Sequence, residues 1–261
     1  MDIVIKTKDR VELFYNKTWT CIIKHYDFDE SKVHLFVSSP EDEEAYSKKY
    51  PNCKVILSPS GIPNVDNFIV DYFPEGHKYI YMNDDVSGVY EVIDIKTKKK
   101  VGDLKKLLNE LVEVCEVNNY TYGGFYPVLN TMFMSKQKEE ITYDLCLIMD
   151  PLSVCINNKD VKLTPIYFDK PDGTAFCGDK TDFEKCIQHF RSRGGLVRYN
   201  KIGIVVQYYG KKGGYQGRDA YTEKYCAETI RDLYPEYIRG IKYKGWKTSL
   251  ALKRLKNTHI Q

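Results

Sequence analysis

Residues 78–89 read Lys78-Tyr-Ile-Tyr-Met-Asn-Asp-Asp-Val-Ser-Gly-Val89, a pattern that predicts a buried strand ending on two adjacent carboxylates, Asp84 and Asp85. In α/β sheets, ligands bind at the carboxyl ends of the strands. Paired carboxylates suit a divalent cation there, because such a cation takes one or two protein carboxylates and completes its sphere with water and phosphate oxygens. We therefore expect Asp84 and Asp85 to hold a metal ion that binds a diphosphate.

The chain before this strand alternates between short apolar strands and helices. Strands are predicted at 3–5, 33–37 and 54–57, and helices at 11–15, 41–49 and 64–73. Such alternation predicts a largely parallel, doubly wound sheet with helices on its faces.

The pattern is less regular after the acid pair. We predict an edge strand at 90–95, a solvated turn at 96–100, a helix at 103–118, a glycine turn at 122–127, strands at 144–149, 153–156 and 201–206, a helix at 182–191 and a basic helix at 248–256. The helix at 103–118 is the clearest, because Asp103 can cap it and its leucines recur at helical spacing.

Composition suits one domain of 261 residues with a substantial core, since 43% of the residues are hydrophobic. The eight cysteines include no CxxC pair and most lie in apolar patterns, which predicts buried, reduced thiols rather than a zinc site. The sequence contains no run of eighteen apolar residues and starts on a strand pattern, so we expect a cytoplasmic protein of a bacterium or an infected host cell.

The net charge of +3 conceals an uneven distribution. Residues 1–184 carry 22 Lys/Arg against 31 Asp/Glu, whereas residues 185–261 carry 17 against 5. A basic last third raises affinity for polyphosphates, either nucleic acid or a nucleotide diphosphate. A solvated basic surface that balances the acidic remainder is the alternative interpretation.

Several polar residues follow the predicted strands or lie in a basic, glycine-rich loop at 209–217. The candidates for binding a nucleotide diphosphate donor are Thr7 and Arg10 after the first strand, Ser60, Gly61 and Asn67 after the third, Asn83, and Lys211, Lys212 and Tyr215 in the loop. The loop residues would stabilise charge on a diphosphate leaving group. Ordinary turn chemistry accounts for each of the turn residues taken singly.

A second acidic group occurs in Cys177-Gly-Asp-Lys-Thr-Asp-Phe-Glu-Lys-Cys186. Asp179 and Asp182 lie just before and at the start of a predicted helix, where capping of the backbone is the ordinary role. Either would also serve as the base that deprotonates an acceptor hydroxyl in an inverting transfer.

Taken together, the first strand with its Lys6–Arg10 turn, the Asn83-Asp-Asp85 strand end, Gly123-Gly124 and Gly178-Asp-Lys-Thr-Asp-Phe183 resemble the glycosyltransferase A fold over roughly residues 1–206. The resemblance implies Mn²⁺ or Mg²⁺ bound with a UDP-sugar, and Gly123 and Gly124 near the donor. It also implies a nucleotide-sugar half at 1–100, an acceptor half at 101–206 and a basic loop and helix at 207–261. The sequence departs from the family pattern at two places: Asn83 stands where a first acid is usual, and Asp179-Lys180 replaces an adjacent acid pair.

The short chain with a basic last third is similar to the TET-associated glycosyltransferases of phages and large DNA viruses. That resemblance implies hexose transfer to 5-hydroxymethylcytosine in duplex DNA. Three alternatives stay open: transfer to a protein or glycan, a non-catalytic nucleic-acid- or partner-binding module on a degenerate transferase fold, and nucleotidyl transfer, for which a third nearby acid is missing.

Overall fold

The alternating first part of the chain forms the core of a layered α/β structure. The computed structural model describes residues 1–170, 173, 175–206 and 218–258. The strands are β1 (Asp2–Lys6), β2 (Val33–Val37), β3 (Lys54–Leu57), β4 (Lys78–Asn83), β5 (Val86–Val92), β6 (Lys98–Lys100), β7 (Tyr122–Tyr126), β8 (Ile141–Thr142), β9 (Leu152–Ile156), β10 (Tyr167–Asp169), β11 (Ala175–Cys177), β12 (Val197–Val206), β13 (Ile238–Lys244) and β14 (Lys247–Leu252). The helices are α1 (Val11–Phe14), continued by π-helical turns over Tyr15–Lys24, α2 (Pro40–Lys49), α3 (Ile62–Tyr72), α4 (Leu104–Val117), α5 (Thr131–Met134), α6 (Thr181–Arg193) and α7 (Ala220–Leu233), with a 3₁₀ turn at Glu30–Lys32.

One large sheet runs in the order β3-β2-β1-β4-β9-β7-β12-β5-β6, and β8 pairs with β12. Strands β3, β2, β1 and β4 are parallel neighbours, as are β7 and β12. Within the described sheet only β9, β5 and β8 run against the other strands. The mostly parallel α/β sheet predicted from the sequence is confirmed.

Helices cover both faces of this sheet, and β1 illustrates why its residues are continuously apolar. Ile3 and Ile5 pack into a core with α2 and α4, whereas Val4 points to the opposite face and packs against α3. Successive side chains of a strand point to opposite faces, so a strand covered on both sides buries every one of them. The carboxyl ends of β1 and β4 therefore emerge together at one edge of the sheet.

The predicted glycine turn at 122–127 is wrong, because these residues form the interior strand β7. The glycines are needed for close packing rather than for turning. A Cβ on Gly124 would lie 2.3 Å from Ile148 Cγ2, and one on Gly123 would lie 2.8 Å from Cys115 Sγ on α4.

Three further elements differ from prediction. The segment 144–149 is irregular, although Ile148 is buried between β7 and α6. The predicted helix at 248–256 is largely strand β14, because Leu250 and Leu252 alternate toward the apolar cluster that includes α7. The predicted edge strand at 90–95 is the end of β5, which stops at Val92. Strand β6 forms that edge of the sheet instead, in the segment 96–100 where we expected a solvated turn.

The predicted burial of the cysteines is confirmed for five free thiols: Cys115, Cys146, Cys155, Cys186 and Cys226. Cys21 and Cys53 are half-buried free thiols. In the described part of the chain, the helices are all too short or too polar to span a bilayer.

Candidate active site

Asp84 lies at the carboxyl end of β4 and is held by two groups that follow β1. Its Oδ2 accepts a hydrogen bond of 2.8 Å from Thr7 Oγ1, and its Oδ1 accepts one of 3.1 Å from Arg10 Nη1. The Thr7 hydroxyl also lies 2.6 Å from the hydroxyl of Tyr46 on α2. Burial raises the pKa of Asp84, and the Arg10 charge and the two hydrogen bonds offset only part of that rise. Thr7, Arg10 and Asp84, which the sequence analysis named separately as candidates for the site, thus lie together at this edge of the sheet.

Asp85 is the less satisfied member of the pair. Its Oδ1 is buried, and the described residues offer it no hydrogen-bond donor. Its Oδ2 lies 3.9 Å from Arg10 Nη1. Burial, together with the adjacent Asp84 charge, raises the pKa of the Asp85 carboxyl to about 6. A buried carboxylate oxygen without a donor is costly unless another positive group approaches it.

The turn that carries the pair is fixed by Thr18 of the π-helical segment. Thr18 Oγ1 donates to the Asn83 carbonyl at 2.7 Å and accepts from the Val86 amide at 2.8 Å. The backbone on each side of the two carboxylates is thus held by one hydroxyl. Asn83 is half-buried at this edge.

The acid pair fits a divalent cation. Hard cations prefer carboxylate oxygens, and Asp85 Oδ1 is an oxygen that needs a positive partner. No group of three or more His, Cys, Asp or Glu side chains suited to a metal occurs among the described residues. A cation held by Asp85, with Asp84 beside it, would therefore take its other ligands from water and from a bound diphosphate.

Asp179 is buried and tightly paired. Arg218 Nε lies 2.8 Å from its Oδ2, Arg218 Nη2 donates to its Oδ1 at 3.0 Å, and the Lys180 amide donates to Oδ1 at 2.6 Å. Burial by itself would raise the pKa of Asp179, but the Arg218 and Lys180 charges outweigh it and hold the pKa below its usual range. A carboxylate stabilised in this way is a weak proton acceptor.

Asp182 lies in the first turn of α6 but does not cap it, because the N-cap residue is Lys180, in a left-handed conformation with φ 67°. Instead, Asp182 Oδ1 accepts from the Asp150 amide at 3.0 Å. Burial of the carboxyl and the nearby Asp150 charge raise the pKa of Asp182 to about 7, although part of the residue's surface is exposed. Its ionisation therefore falls in the range of a general base.

A short run of backbone connects Asp182 to the acid pair. Strand β9 runs against β4, so it begins at the edge where β4 ends, and the Asn83 amide donates to the Pro151 carbonyl at 3.1 Å. The next residue toward the amino terminus, Asp150, supplies the amide that holds Asp182. Asp84, Asp85 and Asp182 thus belong to the same edge of the sheet.

A charged cluster under this edge was missed by sequence reasoning. Lys185 donates to both oxygens of Asp150 at 2.8 and 2.9 Å, and Lys6 donates to Asp66 at 2.8 Å and lies 3.6 Å from Asp150. Tyr81 also donates to Asp66, at 2.7 Å. The cluster joins β1, α3, the start of β9 and α6. Its one local sequence signal is an acid on the apolar face of α3.

The other donor candidates have different surroundings. The side-chain amide of Asn67 donates to the Leu163 carbonyl at 2.8 Å, and its oxygen accepts from the Leu163 amide at 2.7 Å. These contacts do not support the prediction that Asn67 binds the donor substrate. Ser60 is exposed, and Gly61, at φ 96°, precedes α3. The close packing of β7 against Cys115 and Ile148 accounts for the small residues Gly123 and Gly124 without a ligand. Lys211, Lys212 and Tyr215 lie outside the described residues.

No protein-family model and no curated protein matches the chain. Among solved structures, residues 1–349 of TarS from S. aureus, in complex with UDP-GlcNAc, are similar at a TM-score of 0.54 and 12% identity, over 90% of this chain and 66% of that one. Glucosyl-3-phosphoglycerate synthase from Mycobacterium tuberculosis, with Mn²⁺, UDP-glucose and phosphoglyceric acid, gives 0.45 and 9% over 98% and 89%. The mannosyltransferase PcManGT from Pyrobaculum calidifontis, with GDP-Man and Mn²⁺, gives 0.38 and 11% over 59% and 44%.

The chain spans just under two thirds of the length of the TarS structure. At this identity the likeness concerns the fold alone. It agrees with the topology described above, and the chain has the glycosyltransferase A fold that its motifs predicted.

Proposed function

We propose that this protein is a metal-dependent glycosyltransferase that moves a hexose from a UDP-sugar to a hydroxyl acceptor. The observation that carries the proposal is the buried Oδ1 of Asp85, which accepts no hydrogen bond from the part of the chain that the structure describes and lies beside Asp84 at the ligand-binding edge of a glycosyltransferase A fold. The TarS structure, which is similar in fold, contains UDP-GlcNAc, and this favours a UDP-sugar as the donor.

Asp85 is the proposed metal ligand, and Arg10 and Thr7 hold Asp84 in place beside it. A bound Mn²⁺ or Mg²⁺ would neutralise the diphosphate as it leaves. The Arg10 guanidinium faces the same carboxylates, so it offsets part of the negative charge that would repel an incoming diphosphate.

Asp182 is the proposed base, in preference to Asp179. In an inverting transfer, the acceptor oxygen bonds to the anomeric carbon while the bond from that carbon to the diphosphate oxygen breaks. The electron pair of the broken bond leaves with the diphosphate, and the acceptor proton passes to Asp182. A pKa of about 7 suits this step, whereas Asp179 is committed to Arg218.

For the acceptor we propose 5-hydroxymethylcytosine in DNA. The basic last third of the chain and the resemblance to the TET-associated enzymes support this choice. A protein or glycan acceptor is the alternative, and it predicts transfer that does not depend on DNA.

The test is incubation of the protein with Mn²⁺ and a panel of UDP-sugars, with and without hydroxymethylcytosine DNA. Free UDP and the masses of digested nucleosides are measured. A hexose mass on the modified base supports both donor and acceptor. UDP release without that mass would mean that the acceptor is a molecule of another class. If no UDP-sugar gives release, a binding module on a degenerate fold is favoured.

A further inference from the structure

The turn between β1 and α1, which carries Thr7 and Arg10 to the acid pair, contains a residue with an unusual backbone conformation. Asp9 is left-handed there, with φ 54°. A residue other than glycine adopts this conformation at a cost, and it persists only where the surrounding structure holds it. The contacts that hold Asp9 therefore determine where Thr7 and Arg10 lie.

Asp42, in the first turn of α2, holds the backbone of this turn. The Asp9 amide donates to both carboxylate oxygens of Asp42, at 3.2 and 3.1 Å. The position of Asp42 is fixed in turn, because its own amide donates to the hydroxyl of the N-cap residue Ser39 at 3.2 Å. An acid three residues after the N-cap ordinarily serves the helix itself, through the N-cap amide or the helix dipole. Here Asp42 is 5% exposed, and its carboxylate faces the β1–α1 turn.

Tyr46 follows Asp42 by one helical turn and contacts the same segment from the same face of α2. Its side chain is fully buried, and its hydroxyl lies 2.6 Å from Thr7 Oγ1, which donates to Asp84 Oδ2 at 2.8 Å. A hydroxyl has one proton to donate. Because Thr7 gives its proton to the carboxylate, Tyr46 is the donor to Thr7. Burial raises the pKa of Tyr46 above its ordinary value, so the phenol keeps the proton that it donates.

The two contacts from α2 together support both hydrogen bonds to Asp84. The Thr7 hydroxyl donates to Oδ2 of Asp84, and Arg10, the residue after Asp9, donates to Oδ1. Asp85 Oδ1, in contrast, accepts no hydrogen bond from the residues that the structure describes. The arrangement holds Asp84 in one orientation and leaves Asp85 available to a cation.

We propose that Asp42 and Tyr46 are positioning residues, which hold Asp84 through the β1–α1 turn so that Asp85 binds the metal ion. The inference rests on the proposed function for the metal ion, whereas the hydrogen bonds from α2 form without metal or donor. Both residues act through the turn rather than on the ion. Removing a group that orients metal ligands typically weakens metal binding by about 10–100-fold. Ordinary packing of α2 is the alternative interpretation, and it predicts lower stability without a selective loss of metal affinity.

The first experiment measures the dissociation constant of Mn²⁺ from the electron paramagnetic resonance signal of the free ion. Tyr46→Phe removes only the hydroxyl and should weaken binding about 10–100-fold. Its control, Tyr26→Phe, removes another buried hydroxyl, which donates to the Val101 carbonyl at 2.8 Å, and should bind Mn²⁺ like the wild type. Asp42→Ala should show the same loss as Tyr46→Phe. Asp42→Asn keeps an oxygen that accepts from the Asp9 amide, so it should retain most of the affinity.

The second experiment tests the hydrogen-bond relay in the metal-free protein, by urea unfolding of a double-mutant cycle. Tyr46→Phe and Asp84→Asn should be non-additive by about twofold or more in the unfolding equilibrium constant, because both change the bonds of the Thr7 hydroxyl. The cycle of Tyr26→Phe with Asp84→Asn should be additive. Circular dichroism verifies that each variant is folded.

Mn²⁺ affinity of Tyr46→Phe equal to that of the wild type would overturn the inference, as would equal losses in Tyr46→Phe and Tyr26→Phe. Additivity of Tyr46→Phe with Asp84→Asn would also overturn it. Absence of UDP release by the wild type, with Mn²⁺ binding weakened in Tyr46→Phe, would refute the proposed function and leave the positioning role of α2 standing.

Discussion

Asp85 combines a buried carboxylate oxygen with a raised pKa, and its effect on stability has a definite sign. The folded protein binds the Asp85 proton more tightly than the unfolded chain does. This group therefore lowers stability as the pH rises from about 4 to about 6, and the cost persists above that window.

Asp85→Asn should raise the unfolding free energy of the metal-free protein at pH 8 by about 1–2 kcal/mol, because it removes a buried charge. Urea unfolding at pH 8 and pH 4 measures this, and the gain should be small at pH 4. Mn²⁺ should raise the melting temperature of the wild type but not of the variant. An equal Mn²⁺ shift in both proteins would exclude Asp85 as the ligand.

Asp182 must be ionised to accept a proton, so the transfer rate should rise with pH through about 7. Burial and the charge of Asp150 raise the pKa of Asp182, whereas the charges of Lys185 and Lys6 lower it. Asp182→Asn should lower kcat by roughly 10²–10⁴-fold and leave donor binding intact. If Asp179→Asn instead causes that loss and Asp182→Asn does not, the assignment of the base is reversed.

Among the elements, β7 shows how packing can give glycines a role that sequence alone does not reveal. Gly124→Ala would place its Cβ 2.3 Å from Ile148 Cγ2 and should destabilise the protein by about 1–3 kcal/mol. Gly102→Ala is the matched control, because its added Cβ meets no atom within 4 Å. Chemical denaturation of the two variants gives the comparison. Equal stability would mean that β7 does not pack against Ile148 as described.

The first part of the sheet was predictable because each strand is apolar on both faces and each connecting helix has its own boundary signals. Strands β2 and β3 match their predicted ranges, and Asp103 caps α4 through the Lys106 amide as expected. The predictions that are wrong concern segments whose conformation is determined by tertiary contacts. Gly123 and Gly124 signal a turn locally, but their small size is required by the helix and loop packed on β7.

At the scale of the whole molecule, the candidate site is assembled from residues far apart in the chain. Asp84 meets Thr7 and Arg10 across more than seventy positions, and this contact was predictable because β1 and β4 end at the same edge. Lys185, Asp150 and Asp66 could not be predicted as a cluster, because no single segment contains two of them and their charges become partners only on folding.

Whether the acid pair supports metal-dependent sugar transfer can be measured as Mn²⁺-dependent release of UDP from a panel of UDP-sugars by the wild type and by Asp85→Asn. We expect release by the wild type with at least one UDP-sugar, loss of release on chelation of the metal, and little release by the variant. Release that is equal in the two proteins, or that persists without a divalent cation, would contradict this expectation.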